Sequence, residues 1–416
     1  MINYKKSLLI LNKNKIVINS EEVPSKDSLN RVCSKNVFSK VNYPAANNSA
    51  FDGFAIKSSD SKYASKRKKI KLKVLKTLAA GDKPKIKYKK YSCIEIMTGA
   101  IVPKPFDTII PVEKADISRV KKNRFLLLQS RVKKKQYVRF SGSDFKRKQV
   151  IISKGEIINS SHILALKTLG VKNILVKKKP NILFFSTGNE ISENSHVEDW
   201  MVRNSNSYYL RSLAKFFLFN YYDGGLIRDN TEKKFQKLLK KKIKSKYDII
   251  ITSGAVSAGK FDFVPKIIKK FKTQGYFKGV AIRPGKPFLF AKFKSNNKSF
   301  FGLPGNPISS AACFRFFVYP YLLKILGVQP EKPFNAILKN DFIKKKKITS
   351  FLKAKVSVAK NNKLEVEISK GQESFRINSF INSNSWAVLK YGKTHFKKGQ
   401  TVECYNSVIT NKFFFR

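Results

Sequence analysis

Glu190 follows the run FFSTGN, Asp229 lies in GLIRDN, and Asp262 follows SAGKF; each stands just past an apolar run that reads as a strand. Carboxylates beside phosphate-binding loops are the donors that a hard cation such as Mg2+ uses, bridging side chains and substrate phosphate oxygens. The loops themselves fit that chemistry. STGN, TSGAVSAG and GLPGNP are built from small residues. In GLPGNP, Gly302 and Gly305 let backbone approach a ligand with no Cβ in the way. Asn306 suits an N-cap and Pro307 the first helical position, so the helix that follows would aim its N-terminal amides at an anion. One such loop is equally a tight turn, and any one acid is equally a cap or a solvated group, Asp229 before NTEKK above all. Three loops and three acids together, in a chain with 27 acids against 85 bases, favour a phosphate-bearing ligand.

Such loops share an edge only if the strands before them run parallel. NILFFSTGNEI, YDIIITSGAVSAG and SFFGLPGNP are separated by helical patterns, SYYLRSLAKFF and NTEKKFQKLLKKKI, as in an open, largely parallel α/β sheet. Ligands bind such sheets at the carboxyl ends of their strands. Ile308 to Val318 reads as a buried helix that Pro320 bends or ends. Upstream, KIKLKVLKTL, SCIEIM, TIIPVEKA, RFLLLQS and YVRF predict a β-rich module. SKDSLNRVCSK predicts a short helix over 25–35. GEIINSSHILALKTLG predicts a second, with Ile158, Ile163, Leu164 and Leu166 as core positions. After residue 330 or so, FNAILK, LKAKVSVA, KLEVEIS, WAVLK and TVECYN alternate as a small all-β domain does. The fold class is α/β plus β in four units: residues 1–44 with 145–178, an inserted β-rich module over 45–144, a central α/β domain over 179–328, and a C-terminal β domain over 329–416.

Composition excludes several alternatives. The formal net charge is +58, but 71 of the basic residues are lysine and 14 arginine, spread along the whole chain. Specific nucleic-acid readout leans on arginine. These lysines read as solvated faces with non-specific affinity for polyanions at low salt. No apolar run approaches the roughly 20 residues of a membrane span. The start, MINYKKSLLILNKNK, lacks a signal-peptide core. Cys33, Cys93, Cys313 and Cys404 lie far apart and read as reduced thiols of a cytoplasmic protein. His162, His196 and His395 fall outside every motif, and no Ser-His-Asp arrangement is evident.

The motifs NNSAFDGFAI, IMTGAIVPKPFDTIIPVE, FFSTGNEI, RNSNSYYL, TSGAVSAGKFDFV, RPGKPFLFA and GLPGNPISS, in this order from about residue 20 to 400, resemble the molybdopterin molybdenumtransferases, which are related to the catalytic domain of gephyrin. The resemblance implies an elongated cytoplasmic homodimer whose α/β domain binds molybdopterin. It implies insertion of molybdate into adenylylated molybdopterin, with Mg2+ required and AMP released. The transient partners would be a molybdopterin adenylyltransferase and apo-molybdoenzymes. Carried over residue by residue, the catalytic set is Asp52, Asp144, Glu190, Asp229, Asp262, Arg283 and Lys286, with Glu190 and Asp262 holding the metal. The substrate-binding positions are Thr98, Thr187, Gly188, Asn206, Ser207, Ser253, Gly254, Ser257, Gly259, Pro304, Gly305, Asn306 and Pro307. The chain departs from the family pattern where Gly279 and Arg283 stand in place of two lysines four apart; Lys278 lies next to the first. Lys260 stands where many members have an acid, Asn47 replaces a common Asp, and Ser374 in GQESFRINSF is a further candidate hydroxyl. Preference between tungstate and molybdate, and the acceptor enzymes, are not written in these motifs.

Overall fold

A computed structural model describes residues 1–194, 196–216, 218–228, 231–257, 262–344 and 347–407. The centre is a six-stranded sheet of β1 (Asn181–Thr187), β2 (Asn220–Ile227), β3 (Ile249–Ser253), β4 (Thr273–Lys278), β5 (Leu289–Phe293) and β6 (Lys298–Leu303), in the order β2-β1-β3-β6-β5-β4. The first four in that order are parallel; β5 is antiparallel to β6, and β4 to β5. Two reversals make β4 run in the same direction as β6.

The apolar runs are continuous because both faces are covered. Ile182, Phe184, Ile249, Ile251, Phe301 and Leu303 face a cluster with α1 (Tyr4–Lys13), α3 (Ser205–Phe216), α6 (Pro307–Cys313) and α7 (Tyr319–Leu326). Leu183, Phe185, Ile250 and Phe300 face the other side, against α4 (Glu232–Ile243) and α5 (Val264–Lys269). In α4 the buried residues are Phe235, Leu239 and Ile243, one stripe of a helix whose lysines stay in water.

Pro320 neither ends the long helix nor leaves it regular. A π-turn over Phe314–Val318 joins α6 to α7, which runs on to Leu326 and closes on Gly327. Proline has no N–H for the carbonyl of Phe316, four residues back. The Tyr4 hydroxyl donates to that carbonyl instead, at 3.2 Å, and the Tyr4 ring packs edge-on against Phe317 and Phe351. Residues 2–18 therefore belong with the central core: Leu11, Ile16 and Ile18 are buried in its cluster. The expectation that 1–44 packs as one unit with 145–178 is corrected for this first stretch.

The helix expected over 25–35 is a single 3-10 turn, Ser25–Asp27. Ser25 Oγ donates to Val171 O (2.7 Å) and Ser28 Oγ to Ser25 O (2.6 Å), side-chain bonds that compete with helix. Ser20–Pro24 pairs instead with Asn173–Lys177, antiparallel. The second expected helix, α2 (Ser160–Thr168), starts at an Asn159–His162 capping box. Leu166 is buried, Ile163 half-buried, and Ile158 buried just ahead of the helix. Leu164 is 70% exposed, because only the 163/166 face turns inward and 164 lies on the opposite side.

The inserted module is a six-stranded sheet in the order Thr108–Pro111, Gly53–Ile56, Ser92–Ile96, Ile70–Leu78, Asn123–Leu128, Asp116–Val120. Its two apolar clusters draw only on residues between 54 and 138. In the C-terminal domain Thr349–Val358 pairs with both Leu364–Ile368 and Ser385–Leu389, closing a five-stranded barrel with Phe334–Leu338 and Thr401–Asn406. This domain is not purely β, since it also holds the short helix α8 (Ile377–Ile381). The two-residue strand Ile282–Arg283 pairs with Thr349–Ser350 and ties the barrel to the centre. No helix among the described residues is long and apolar enough to cross a membrane, and all four cysteines are free and buried.

Tyr4→Phe removes the donor for the Phe316 carbonyl while keeping the ring. It should destabilise the fold by about 1–3 kcal/mol, the cost of leaving a buried carbonyl unpaired, read as a lower urea midpoint with an unchanged circular dichroism spectrum.

Candidate functional site

β1, β3 and β6 end side by side, with Ser186 opposite Ser253 and Ser253 opposite Leu303. The loops that follow are bonded to one another. The Gly254 amide donates to Leu303 O (2.9 Å) and Thr187 Oγ1 to Ser253 O (3.0 Å). Asn206, in the first turn of α3, bridges two loops: its Nδ2 donates to Ser253 Oγ and to Gly305 O, both at 2.7 Å. Ser253 Oγ in turn donates to Pro304 O at 3.2 Å. Gly254 has φ +100°, and a Cβ there would lie 2.5 Å from Thr187 O, so the loops can touch only with glycine at this position. At Gly188, with φ +135°, a Cβ would fall against the Glu190 carboxylate. Arg228 clasps the same loop, donating to Asn189 O and to Ile191 O.

The structure thus brings together Thr187, Gly188, Glu190, Asn206, Ser253, Gly254, Pro304, Gly305 and Asn306. Ser207 is buried beneath this rim and shares a 2.6 Å hydrogen bond with the Tyr221 hydroxyl, which burial pushes up to about 12. Asp262 is half-buried at the entry to α5, and Ser257 stands on the middle loop. Asp229 and Gly259 lie outside the described residues.

The start of α6 differs from expectation. Asn306 holds the N-cap position, but its side chain does not cap; its Nδ2 donates to Ser374 Oγ at 3.0 Å. The Ile308 amide donates to Ser374 O at 3.1 Å. Pro307 has no N–H and the Ile308 amide is taken, so neither of the first two positions of α6 offers an amide to an anion. Ser374 does meet the loop, and Lys353 holds it there. Lys353 is 1% exposed, and its Nζ donates to the carbonyls of Gly371 (2.7 Å), Glu373 (3.2 Å) and Arg376 (3.1 Å). Burial pulls the Lys353 ammonium below the usual lysine range.

Sequence reasoning missed Lys353, which sits in a strand among lysines that read as solvent-facing. It also missed Asn204, 6% exposed, whose Oδ1 accepts from Ser186 Oγ (2.8 Å) and from the Ser207 amide (3.4 Å), and whose Nδ2 donates to Glu193. The signal for Asn204 was present, as an Asn directly ahead of a helical run.

Arg283 and Lys286 are exposed on a loop closed by the Val280 amide bonding to Lys286 O at 2.9 Å. Neither forms an ion pair with an acid among the described residues. In the inserted module, the Thr98 amide (2.6 Å) and Thr98 Oγ1 (2.8 Å) both donate to Asp52 Oδ1 and hold that carboxyl below the usual range. Asp144 is exposed. Among the described residues, no hydrogen bond or ion pair joins Asp52, Thr98 or Asp144 to the rim. Nor do three His, Cys, Asp or Glu side chains converge there as a metal cage. Glu190 is exposed and Asp262 half-buried.

Known proteins match this chain along its length. Residues 2–170 match the MoeA N-terminal region (domain I and II), 184–324 a probable molybdopterin binding domain, and 335–406 the MoeA C-terminal region (domain IV). The molybdopterin molybdenumtransferase of Staphylococcus epidermidis is 29% identical over 405 residues, 97% of this chain and 94% of that relative. That of Staphylococcus aureus is 30% identical over 379 residues, 90% and 88% of the two chains. Two crystal structures of the molybdopterin biosynthesis MoeA protein of Pyrococcus horikoshii align with TM-scores of 0.82 and 0.81, at 26% and 25% identity, over 98% and 97% of this chain and 99% of each of theirs.

In an NMR titration Asp52 should ionise below the ordinary carboxylate range. Thr98→Val, which removes one of the two donors, should move its midpoint up toward that range; an unmoved midpoint would show that the hydroxyl has no part in it.

Proposed function

The chain belongs to the molybdopterin molybdenumtransferase family, and from that premise we propose that it inserts molybdenum from molybdate into adenylylated molybdopterin, with AMP as the leaving group. The observation that carries the reading is the rim itself. Three strand-end loops of the molybdopterin-binding domain are locked together through Thr187, Asn206, Ser253 and Gly305, beside Glu190 and the exposed cations Arg283 and Lys286. Every species the reaction handles is an anion: the pterin phosphate, the adenylyl phosphate and molybdate. Arg283 and Lys286 neutralise them, and the interlocked loops hold the phosphates in a fixed frame, so that charge developing at the leaving phosphate meets groups already in place. Glu190 and Asp262 would hold Mg2+, which supplies neutralisation of phosphate charge when bound. The direct test incubates the protein with adenylylated molybdopterin, Mg2+ and molybdate, and measures AMP release together with reconstitution of an apo-molybdoenzyme.

Asp262→Asn should lower AMP release about 100-fold with the circular dichroism spectrum unchanged. Normal turnover by that variant at ordinary Mg2+ would remove Asp262 from the cation site.

The reading extends to a homodimer with a shared site. The module carrying Asp52 and Thr98 has its own core and makes no polar bond to the rim among the described residues. A two-fold dimer lets one subunit's module complete the other's rim. Asp52→Ala and Asp262→Asn homodimers should each be nearly inactive. Unfolding, mixing and refolding them should restore roughly a quarter of wild-type activity, since half the dimers are mixed and one of their two sites carries no lesion. No recovery, with mixed dimers present, would mean that both residues serve the same subunit's site.

A further inference from the structure

In the inserted module, strands Ile70–Leu78 and Ser92–Ile96 are parallel neighbours, so the connection over 79–91 must run back along the sheet. Its burial alternates. Pro84, Ile86 and Tyr88 are half-buried, and Lys83, Lys85, Lys87 and Lys89 are exposed between them. Ile86 and Tyr88 pack on one of the module's apolar clusters, Tyr88 edge-on against Phe106. None of these lysines is paired with an acid among the described residues. Asp60 anchors the end of the strip. Its buried carboxylate accepts from the Tyr88 hydroxyl (2.8 Å) and from the Tyr91 amide (3.3 Å). Tyr91 has φ +58°, left-handed backbone that a bulky residue rarely adopts. Its ring is 43% exposed, and that of Tyr63, just past the 3-10 turn carrying Asp60, is 65% exposed. Lys90 Nζ lies 5.3 Å from the Tyr91 ring centroid and Lys62 Nζ 5.2 Å from that of Tyr63. Two open aromatic rings thus flank one buried acid at the end of a line of cations.

We propose that this face of the inserted module binds single-stranded nucleic acid without regard to sequence. Lys83, Lys85, Lys87 and Lys89 meet phosphates, and Tyr63 and Tyr91 stack on bases. At roughly 3.3 Å per extended residue, every second residue recurs at about 6.6 Å, an interval comparable to that between successive phosphates of a single strand. A line of cations alone would suit any polyanion. The exposed rings favour nucleic acid, because a base offers a flat face to stack on and an acidic protein or a sulfated sugar does not. They favour a single strand, whose bases are open to stacking. Lysine in place of arginine leaves the base edges unread, which makes the contact independent of sequence. The hydrogen bonds of Asp60 fix Tyr88 and the backbone of Tyr91 before the strand arrives, lowering the ordering cost of binding.

The test titrates the full chain into a fluorescein-labelled oligothymidylate, following anisotropy over a series of salt concentrations, with heparin as a polyanion that carries no bases. A variant combining Lys83→Gln, Lys85→Gln and Lys87→Gln should lower the slope of log affinity against log salt by about 2, the loss of three phosphate contacts on a single strand. A control combining Lys234→Gln, Lys237→Gln and Lys241→Gln, exposed lysines of α4, removes the same charge and should leave the slope nearly unchanged. Tyr63→Ala or Tyr91→Ala should weaken oligothymidylate binding about tenfold, as loss of one stacked base does, and leave heparin binding unchanged. Tyr63→Phe and Tyr91→Phe keep the ring and should bind as wild type. Equal effects of the two lysine triples would overturn the proposal, because charge spread over the whole chain would then account for binding. Wild-type affinity in both Tyr63→Ala and Tyr91→Ala would overturn it too, and with the lysine effect retained would leave a surface for polyanions in general. Absence of oligothymidylate binding by the wild-type chain at low salt would overturn it outright.

Discussion

The parallel register of β1, β3 and β6 is the constraint on which the rest depends. Ser186, Ser253 and Leu303 stand opposite one another across three strands, so the loops that follow must leave the sheet at one edge. A slip of one residue would turn every side chain of a strand to the other face, exchanging the two apolar clusters that cover the sheet. Both faces are apolar, so it is the fit of particular side chains in each cluster that holds the register, and the register enforces the rim. The double hydrogen bond from Asn206 then converts adjacency into contact between loops.

The rim is braced from both ends of the chain. From the N-terminal side, residue 2 pairs with Val280, and Tyr4 satisfies the carbonyl that Pro320 leaves without a donor. From the C-terminal side, the barrel pairs with Ile282–Arg283, and Ser374 occupies the Ile308 amide. Arg315 strengthens this second brace. It is 2% exposed, donates to Glu331 at 2.7 Å and to Asn406 O at 3.2 Å, and lies against the rings of Phe316, Tyr319 and Tyr405. A buried guanidinium is tolerated only with its charge and donors matched, so this contact specifies how helix and barrel meet. The inserted module has no such brace to the rim among the described residues.

Charge carries a different kind of information. An excess of lysine over the whole chain says little about where an anion binds. Arg283 and Lys286 differ from the rest only in place, exposed on a loop closed by the Val280 amide. Lys353 shows the opposite case: a lysine in a run that reads as solvent-facing is enclosed by carbonyls and positions a loop.

Apolar periodicity and loop composition alone determined much of this protein: a largely parallel α/β centre, a β-rich insertion, a β-rich C-terminal domain, and the loops STGN, TSGAVSAG and GLPGNP at one edge. These features were legible because each depends on local preference, whether alternation, small residues or turn chemistry. Packing of residues 2–18 into the central core, passage of the helix through Pro320, collapse of 25–35 to one turn, and occupation of the Ile308 amide by Ser374 were decided only in the tertiary structure. In each case a residue remote in the chain supplies or takes a hydrogen bond, or covers an apolar face. Tyr4 and Phe316 are 312 positions apart, Asn306 and Ser374 are 68; no local pattern encodes a partner at such separation, because the choice is made by whichever polar group the fold brings within about 3 Å.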